Sequence, residues 1–251
     1  IRTSLLFTLS SGHDNAFVVT SAEPNSGKSV TSANLALSFA QNGSRILLID
    51  CDMRNPSQQK IFEKENNTGL SDVLAGLKPF ADAVKHNVKE NLDLLTAGPT
   101  PPNPSELLGS ERMHRLLDEL RPQYEFVIMD SPPAGFVSDT LSLLLNAPQS
   151  IIIARQNHAV YNEVAKTVEL IKGVGGQVLG AILTDVKEQH KSYGYTYHAY
   201  RYRGDRYRSH YRRGDRPGYG YGYGYGYGAK KSSGEKKDAA PEKAGEGKSR
   251  K

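Results

Sequence analysis

Gly27-Lys28-Ser29 closes the stretch Ala22-Glu23-Pro24-Asn25-Ser26-Gly27-Lys28-Ser29 and joins a permissive backbone position, an ammonium and a hydroxyl in three residues. An apolar run, Ala16-Phe17-Val18-Val19, precedes the stretch, and a helix-like run, Thr31 to Gln41, follows it. Strand, tight loop and helix in that order make a phosphate-binding loop. The loop N–H groups and the helix N-terminus converge on one point and favour negative charge there. Lys28 is then placed to reach the β- and γ-phosphates of a nucleoside triphosphate such as ATP, and Ser29 to ligate Mg²⁺. Asn25, Ser26, Gly27 and Val30 complete the candidate nucleotide contacts. Ala22 stands where a first Gly is usual. Alanine enters a left-handed turn poorly, so an altered loop entry is expected. Pro24 fixes one φ and removes one donor.

Two further stretches end in acids. Ile46-Leu47-Leu48-Ile49 runs into Asp50-Cys51-Asp52-Met53-Arg54, and Phe126-Val127-Ile128-Met129 runs into Asp130-Ser131-Pro132-Pro133. Ligands of open α/β sheets bind at the carboxyl ends of strands, and an apolar strand ending in Asp has the Walker B form, whose acid holds Mg²⁺. Three strand ends thus offer Lys28 and Ser29, then Asp50 and Asp52, then Asp130, and Mg²⁺ prefers carboxylate and water oxygens. A plainer reading makes Asp52 a helix cap with Arg54 as its ion-pair partner, and Asp130 a cap for the residues after it. A dinucleotide fold would also put an acid near Asp50, but no G-x-G-x-x-G is present. Cys51 reads as a small buried filler between the acids.

The elements that must position these groups alternate. Strands are expected at Phe17–Thr20, Ile46–Ile49, Leu92–Leu95, Phe126–Met129, Ser150–Ala154 and Val178–Leu183. They are short and apolar at consecutive positions, as strands buried on both faces of a parallel sheet are. Helices are expected at Val30–Gln41, Leu70–Leu74, Phe80–Val84, Ser110–Leu120, Thr140–Leu145 and Tyr161–Gly173, with Gly43 at the C′ position of the first. The alternation predicts an α/β fold of three layers, a mostly parallel sheet between helices.

One cysteine in 251 residues excludes a disulfide framework and favours a reducing, cytoplasmic setting. No apolar run is long enough to span a bilayer. The net charge of +5 is uneven: residues 191–251 carry 16 Lys and Arg against 6 Asp and Glu, and residues 1–190 carry 16 against 21. From Tyr193 onward no Leu, Ile, Val, Met or Phe occurs, so a flexible tail is expected over 191–251, beside a globular domain over 1–190. The tail has a tyrosine cluster over 193–227 and a charged end over 229–251.

Taken together, the loop Ser21 to Ser29, Asn34-Leu35-Ala36, the segment Leu48 to Pro56, Gly69 to Gly76, Gly98 to Leu108 and Asp130-Ser131-Pro132-Pro133 resemble the bacterial tyrosine kinases of capsule and exopolysaccharide synthesis, with their Walker A, A′ and B motifs. The resemblance covers roughly residues 1–185. It implies ATP and Mg²⁺ as cofactors, phosphate binding by Lys28, metal binding by Ser29, Asp52 and Asp130, and contact of Asp50 with the incoming tyrosine hydroxyl. Arg54 stands beside them among the catalytic residues. It also implies association with the inner face of the plasma membrane through a transmembrane polysaccharide co-polymerase, fused upstream or separate. A protein tyrosine phosphatase and further copies of the chain are the other implied partners. Two departures stand out. Of an expected N-terminal Glu-x-x-Arg-x-x-Arg motif for subunit contact only Arg2 matches, with Leu5 in the place of a second Arg. Thr184 or Asp185 occupies the place of an expected base-contacting Asn.

Tyr124 and Tyr161 are the tyrosines of the first 190 residues. The other twelve are Tyr193, Tyr195, Tyr197, Tyr200, Tyr202, Tyr207, Tyr211, Tyr219, Tyr221, Tyr223, Tyr225 and Tyr227. Structural tyrosines would be spread through a core, whereas clustered ones suit hydroxyls that enter an active site. They are the candidate phosphoacceptors, modified in trans. Each phosphate adds roughly −1.5 to −2 charges, so a few would cancel the tail's positive charge and weaken its attraction to the acidic body. Two rival readings are a P-loop ATPase of the cell-division or partition kind and a nucleotide-regulated binding module using the Tyr/Arg tail. The first carries an extra lysine where this loop has Glu23; no stable nucleic-acid partner is expected.

Overall fold

The computed structural model describes residues 1–9 and 14–186, with residues 7–9 as backbone only. The tail and its twelve candidate acceptors lie outside the described residues. The strands are β1 (Ala16–Ser21), β2 (Ile46–Asp50), β3 (Lys85–Lys89), β4 (Leu92–Leu95), β5 (Phe126–Asp130), β6 (Gln149–Arg155) and β7 (Gln177–Thr184). The helices are α1 (Arg2–Leu9), α2 (Lys28–Ala40), α3 (Gln58–Ile61), α4 (Leu70–Ala75), α5 (Phe80–Ala83), α6 (Pro104–Leu108), α7 (Glu111–Leu120), α8 (Asp139–Leu144) and α9 (Tyr161–Gly173).

One sheet holds the strands in the order β3-β4-β2-β5-β1-β6-β7. Every neighbouring pair is parallel except β3–β4. Every residue of β1, β2 and β5 is buried, because helices cover both faces and each side chain must be apolar or satisfied. One face packs Val18, Leu47, Ile49 and Met129 against α7 residues Met113, Leu116, Leu117 and Leu120. The other packs Phe17, Leu48 and Ile128 against α2 residues Ala33, Ala36 and Phe39. The α7 set recurs at three- and four-residue spacing and the α2 set at three, which lays each along one side of its helix. Phe39 meets Phe126 with ring centroids 4.8 Å apart.

The expected elements are present with ends shifted by one or two residues, and the three-layer architecture holds. Four elements go beyond the expectation: α1, α3, the edge strand β3 and α6. Gly43 is left-handed at φ +92° but lies one residue past the C′ position rather than at it, because α2 ends at Ala40 with Gln41 as its cap. In α1, an Arg2 guanidinium nitrogen donates to the Ser38 carbonyl at 3.3 Å, and Leu5 is buried in the α2-side core. Position 5 faces the interior, where an arginine would strand its charge. Among the described residues no helix is long and apolar enough to cross a membrane.

Candidate active site

β1 delivers the chain to the carboxyl edge of the sheet, and the loop from Ala22 to Gly27 turns it into α2. Left-handed backbone occurs at Asn25 (φ +60°) and Gly27 (φ +85°), and Ala22 is not among the positive-φ residues. Asn tolerates this region better than other side chains, so the turn is made at 25 and 27 and position 22 does not need glycine. Ser21 and Ser26 hydroxyls both donate to the Glu23 carbonyl, at 2.6 and 2.7 Å. Neighbouring elements brace the loop from outside. Thr184 Oγ1, at the end of β7, donates to the Ser26 carbonyl at 3.0 Å, and His158 Nε2 donates to the Pro24 carbonyl at 3.1 Å. Glu23 Oε1 accepts the Val160 N–H at 3.2 Å. Gly135 was no sequence candidate; a Cβ there would come within 2.5 Å of the Ala22 carbonyl, so this close approach requires glycine.

The acids arrive on adjacent strands. Asp50 and Asp130 are register partners of β2 and β5, and both are fully buried. Asp50 Oδ1 accepts the Asp52 N–H at 3.1 Å, and its Oδ2 accepts the N–H groups of Ser57 and Gln58, each at 2.9 Å. Asp130 accepts from the Ser32 hydroxyl at 3.3 Å and from Gln58 Nε2 at 2.7 Å. Burial, with the Asp130 charge next, raises Asp50 far above the ordinary carboxylate range. Burial raises Asp130 as well, although the Gln58 hydrogen bond and the Lys28 charge pull the other way. Two carboxylates side by side in a dry site resist ionising together. Burial among the same acids raises the Cys51 thiol, which is fully buried and inert.

Lys28 Nζ stands 3.6 Å from Asp52 Oδ2, with both side chains mostly buried. The Asp52 side chain also accepts the Asn55 N–H at 3.0 Å, which stops the chain after β2 from straightening. Arg54 does not pair with Asp52. Its guanidinium forks onto the buried Asp139 at the start of α8, at 2.7 and 3.0 Å, so the simple ion-pair reading of Asp52 and Arg54 is corrected. Asp130 caps nothing that follows it; its oxygens face α2 and α3. Asp185 accepts from Arg155 at 3.0 Å, and Thr184 is committed to the loop carbonyl.

A cleft of about 560 Å³ opens over this edge, lined by Gly27, Lys28, Ser29, Asn55, Lys60 and Arg155 among others. Lys60 and Arg155 are cations the sequence reading missed; no pattern marks them, since α3 and the end of β6 reach the cleft only in the folded sheet. A larger groove, about 1080 Å³, runs between α8 and α9 along Leu141, Tyr161, Val164 and Val168. It shares no residue with the cleft and is almost wholly apolar, so the cationic cleft is the one suited to phosphates.

The donor set fits Mg²⁺. Ser29 supplies a hydroxyl that hydrogen-bonds the Asp130 carboxylate, Asp52 stands beside Lys28, and Gln58 Oε1 is a buried acceptor without a partner. Among the described residues no three His, Cys, Asp or Glu side chains converge to chelate an ion by themselves. Mg²⁺ needs no such cage when one or two carboxylates, waters and substrate phosphates complete its shell.

A family model described as an AAA domain matches residues 18–178. Tyrosine-protein kinase YwqD of Bacillus subtilis (strain 168) is 39% identical over 196 residues, which is 78% of this chain and 83% of that protein. Tyrosine-protein kinase etk of Escherichia coli (strain K12) is 36% identical over 78% of this chain, but the match spans only 27% of that protein. The solved kinase domain of Escherichia coli tyrosine kinase ETK superposes with a TM-score of 0.72 at 36% identity, covering 78% of this chain and 77% of that one. The septum site-determining protein MinD of Pyrococcus horikoshii, solved with Mg-ADP, has a TM-score of 0.58 at 23% identity over 67% and 69% of the two chains. That is a likeness of fold alone.

Proposed function

Because the chain belongs to the bacterial tyrosine-protein kinases, we propose that it transfers the γ-phosphoryl group of ATP to tyrosine hydroxyls, with Tyr193 to Tyr227 of a neighbouring copy as acceptors. The observation that carries this reading is the meeting of Lys28, Asp52 and Asp130 at one sheet edge, in a chain that gathers twelve tyrosines into one segment. In the transfer the tyrosine Oη bonds to the γ-phosphorus, the bond from that phosphorus to the β–γ bridging oxygen breaks, and ADP leaves. Catalysis of this kind is positioning and charge neutralisation. Lys28 and the loop N–H groups take the phosphates. Ser29, Asp52 and Asp130 hold Mg²⁺, which when bound neutralises charge on the phosphate oxygens. Lys60 and Arg155 add positive charge to the cleft.

Tyrosine has a pKa near 10 and a carboxylate near 4, so an acid here mainly orients the hydroxyl and takes its proton late in the transfer. In the arrangement described, Asp52 is the acid beside Lys28. Asp50 meets a hydroxyl only if Ser57 and Gln58 release it. Arg54 fixes the segment after Asp52 through Asp139. Thr184 acts on the nucleotide through the loop carbonyl it holds.

The division into a catalytic domain over 1–190 and an acceptor tail over 191–251 belongs to this proposal. So do regulation of capsule or exopolysaccharide synthesis, a transmembrane co-polymerase as activator, an opposing tyrosine phosphatase, and a place at the inner face of the plasma membrane. Lys28→Met is the decisive variant. Incubated with Mg-ATP and blotted for phosphotyrosine, the wild-type chain becomes labelled, and the variant loses labelling while its circular dichroism is unchanged. Mixed with active chain, the variant's tail is labelled in trans. ATP hydrolysis without any phosphotyrosine would point to the partition-type ATPase.

A further inference from the structure

Gln58 opens α3 and is fully buried, although nothing in its sequence setting distinguishes it from Gln59 beside it. Its backbone N–H donates to Asp50 Oδ2 at 2.9 Å. Its side-chain Nε2 donates to Asp130 Oδ2 at 2.7 Å and to the Ser29 carbonyl at 3.0 Å. One residue thus ties together the end of β2, the end of β5 and the first turn of α2. The two N–H bonds of the amide face two acceptors, which fixes its orientation. Exchanging oxygen and nitrogen would press the oxygen against a carboxylate and a carbonyl. Oε1 is consequently held in the interior with no hydrogen-bond partner, one of four such buried side-chain atoms among the described residues. An amide retained only as a structural link would have its oxygen satisfied too, since buried polar groups normally are.

We propose that Gln58 is the positioning residue of the metal site: its Nε2 sets Asp130 and the Ser29 backbone, and its Oε1 accepts a hydrogen bond from a water of the magnesium shell. This rests on the Mg-nucleotide reading above. It assigns α3 a role in metal binding that its short, polar sequence does not announce. Groups that orient metal ligands from behind matter nearly as much as the ligands, and their loss costs about 10–100-fold in metal affinity.

The test is calorimetric titration of the full chain with ADP in EDTA, and then with Mg²⁺ into the ADP complex. Gln58→Met keeps the volume and removes both functions of the amide; Gln58→Asn keeps the amide but falls a methylene short. Each is expected to bind ADP in EDTA as wild type does and to need about 10–100-fold more Mg²⁺ for half-saturation. Wild-type Mg²⁺ dependence in a folded variant would overturn the assignment. An equal loss of ADP affinity with and without Mg²⁺ would overturn it too, by placing the damage in the phosphate loop. If the Met variant does not fold, the Asn variant carries the same expectations. Failure of the wild-type chain to bind ADP would remove the nucleotide reading itself, a result separate from either variant's.

Discussion

Asp130 ends β5 at the carboxyl edge of the sheet, and Asp93 sits at the opposite edge, near the start of β4, two strands away. Both carboxylates are nearly or wholly buried, yet their surroundings treat charge in opposite ways. Asp93 accepts the Asn87 N–H at 2.7 Å, the Tyr124 hydroxyl at 2.8 Å and His86 Nδ1 at 2.9 Å. Burial pushes Asp93 up, but these hydrogen bonds outweigh it and hold it below its ordinary value. The Arg45 guanidinium covers the Tyr124 ring at 5.0 Å and completes the group. Asp130 is wholly buried beside a second carboxylate, and that burial outweighs the Gln58 hydrogen bond and the Lys28 charge and holds it above its ordinary value. An acid that brings its own partners is part of the scaffold. An acid left short of positive charge is poised for a cation from outside, which is why shifted carboxylates gather at functional sites.

The largest expected effect separates the two acids by activity. Asp130→Asn should lower Mg²⁺-dependent tyrosine phosphorylation by on the order of a hundredfold or more, the several kcal/mol that a bound metal contributes. Asp93→Asn should leave the initial rate of phosphotyrosine formation unchanged at a temperature where it is folded. Equal losses in the two variants would erase the distinction.

Stability should separate them in the other direction. In urea denaturation with EDTA present, Asp93→Asn is expected to lose about 1–3 kcal/mol, the cost of leaving buried donors poorly matched. Asp130→Asn should be at least as stable as wild type, because it relieves the repulsion with Asp50. Addition of Mg²⁺ to the ADP complex should then stabilise the wild-type chain further and the Asp130 variant little.

The pH dependence follows from the same signs. Asp93 has a folded value below the unfolded one, so its stabilisation is present above the ordinary carboxylate value, about 4, and is lost as pH falls through the folded value. Asp50 and Asp130 have raised folded values. Their contribution is fully present below about 4 and is lost as pH rises through the raised values. Metal-free wild type should therefore lose stability from mildly acid to neutral pH. Asp130→Asn should flatten that limb, and Asp93→Asn the acid one, in melting temperatures recorded from acid to neutral buffers.

The sequence made one of these two clusters legible and not the other, for a physical reason. Asp50 and Asp130 each end an uninterrupted apolar run, and that pattern marks a buried strand and its carboxyl end together. Asp93 lies inside Leu92-Asp93-Leu94-Leu95, where an acid looks like an interruption. Its role depends on Tyr124, 31 residues away, and on β3. That strand, Lys85-His86-Asn87-Val88-Lys89, is a charged edge of the kind that resists pairing with other chains, so it carries little apolar alternation to read. Gln58 and Gly135 were missed for the related reason that their partners meet only in three dimensions. Arg54 was noticed, but its partner Asp139 lies 85 residues on. Ala22 departs from the usual loop pattern at its first glycine, and the turn is made instead at Asn25 and Gly27.

Within the Asp93 cluster the donors themselves should rank by burial. The Tyr124 hydroxyl is buried, and its loss in Tyr124→Phe should cost about 0.5–1.5 kcal/mol, the net value of a typical hydrogen bond. The His86 side chain is 55% exposed, so water replaces most of what it gives Asp93. His86→Ala should cost no more than about 1 kcal/mol, as exposed ion pairs do. Neither change should alter the Mg²⁺ needed for half-saturation of the ADP complex. A His86→Ala loss exceeding that of Tyr124→Phe in urea denaturation would mean that Asp93 depends on outside charge as Asp130 does, and the contrast between the two ends of the sheet would fail at its weakest member.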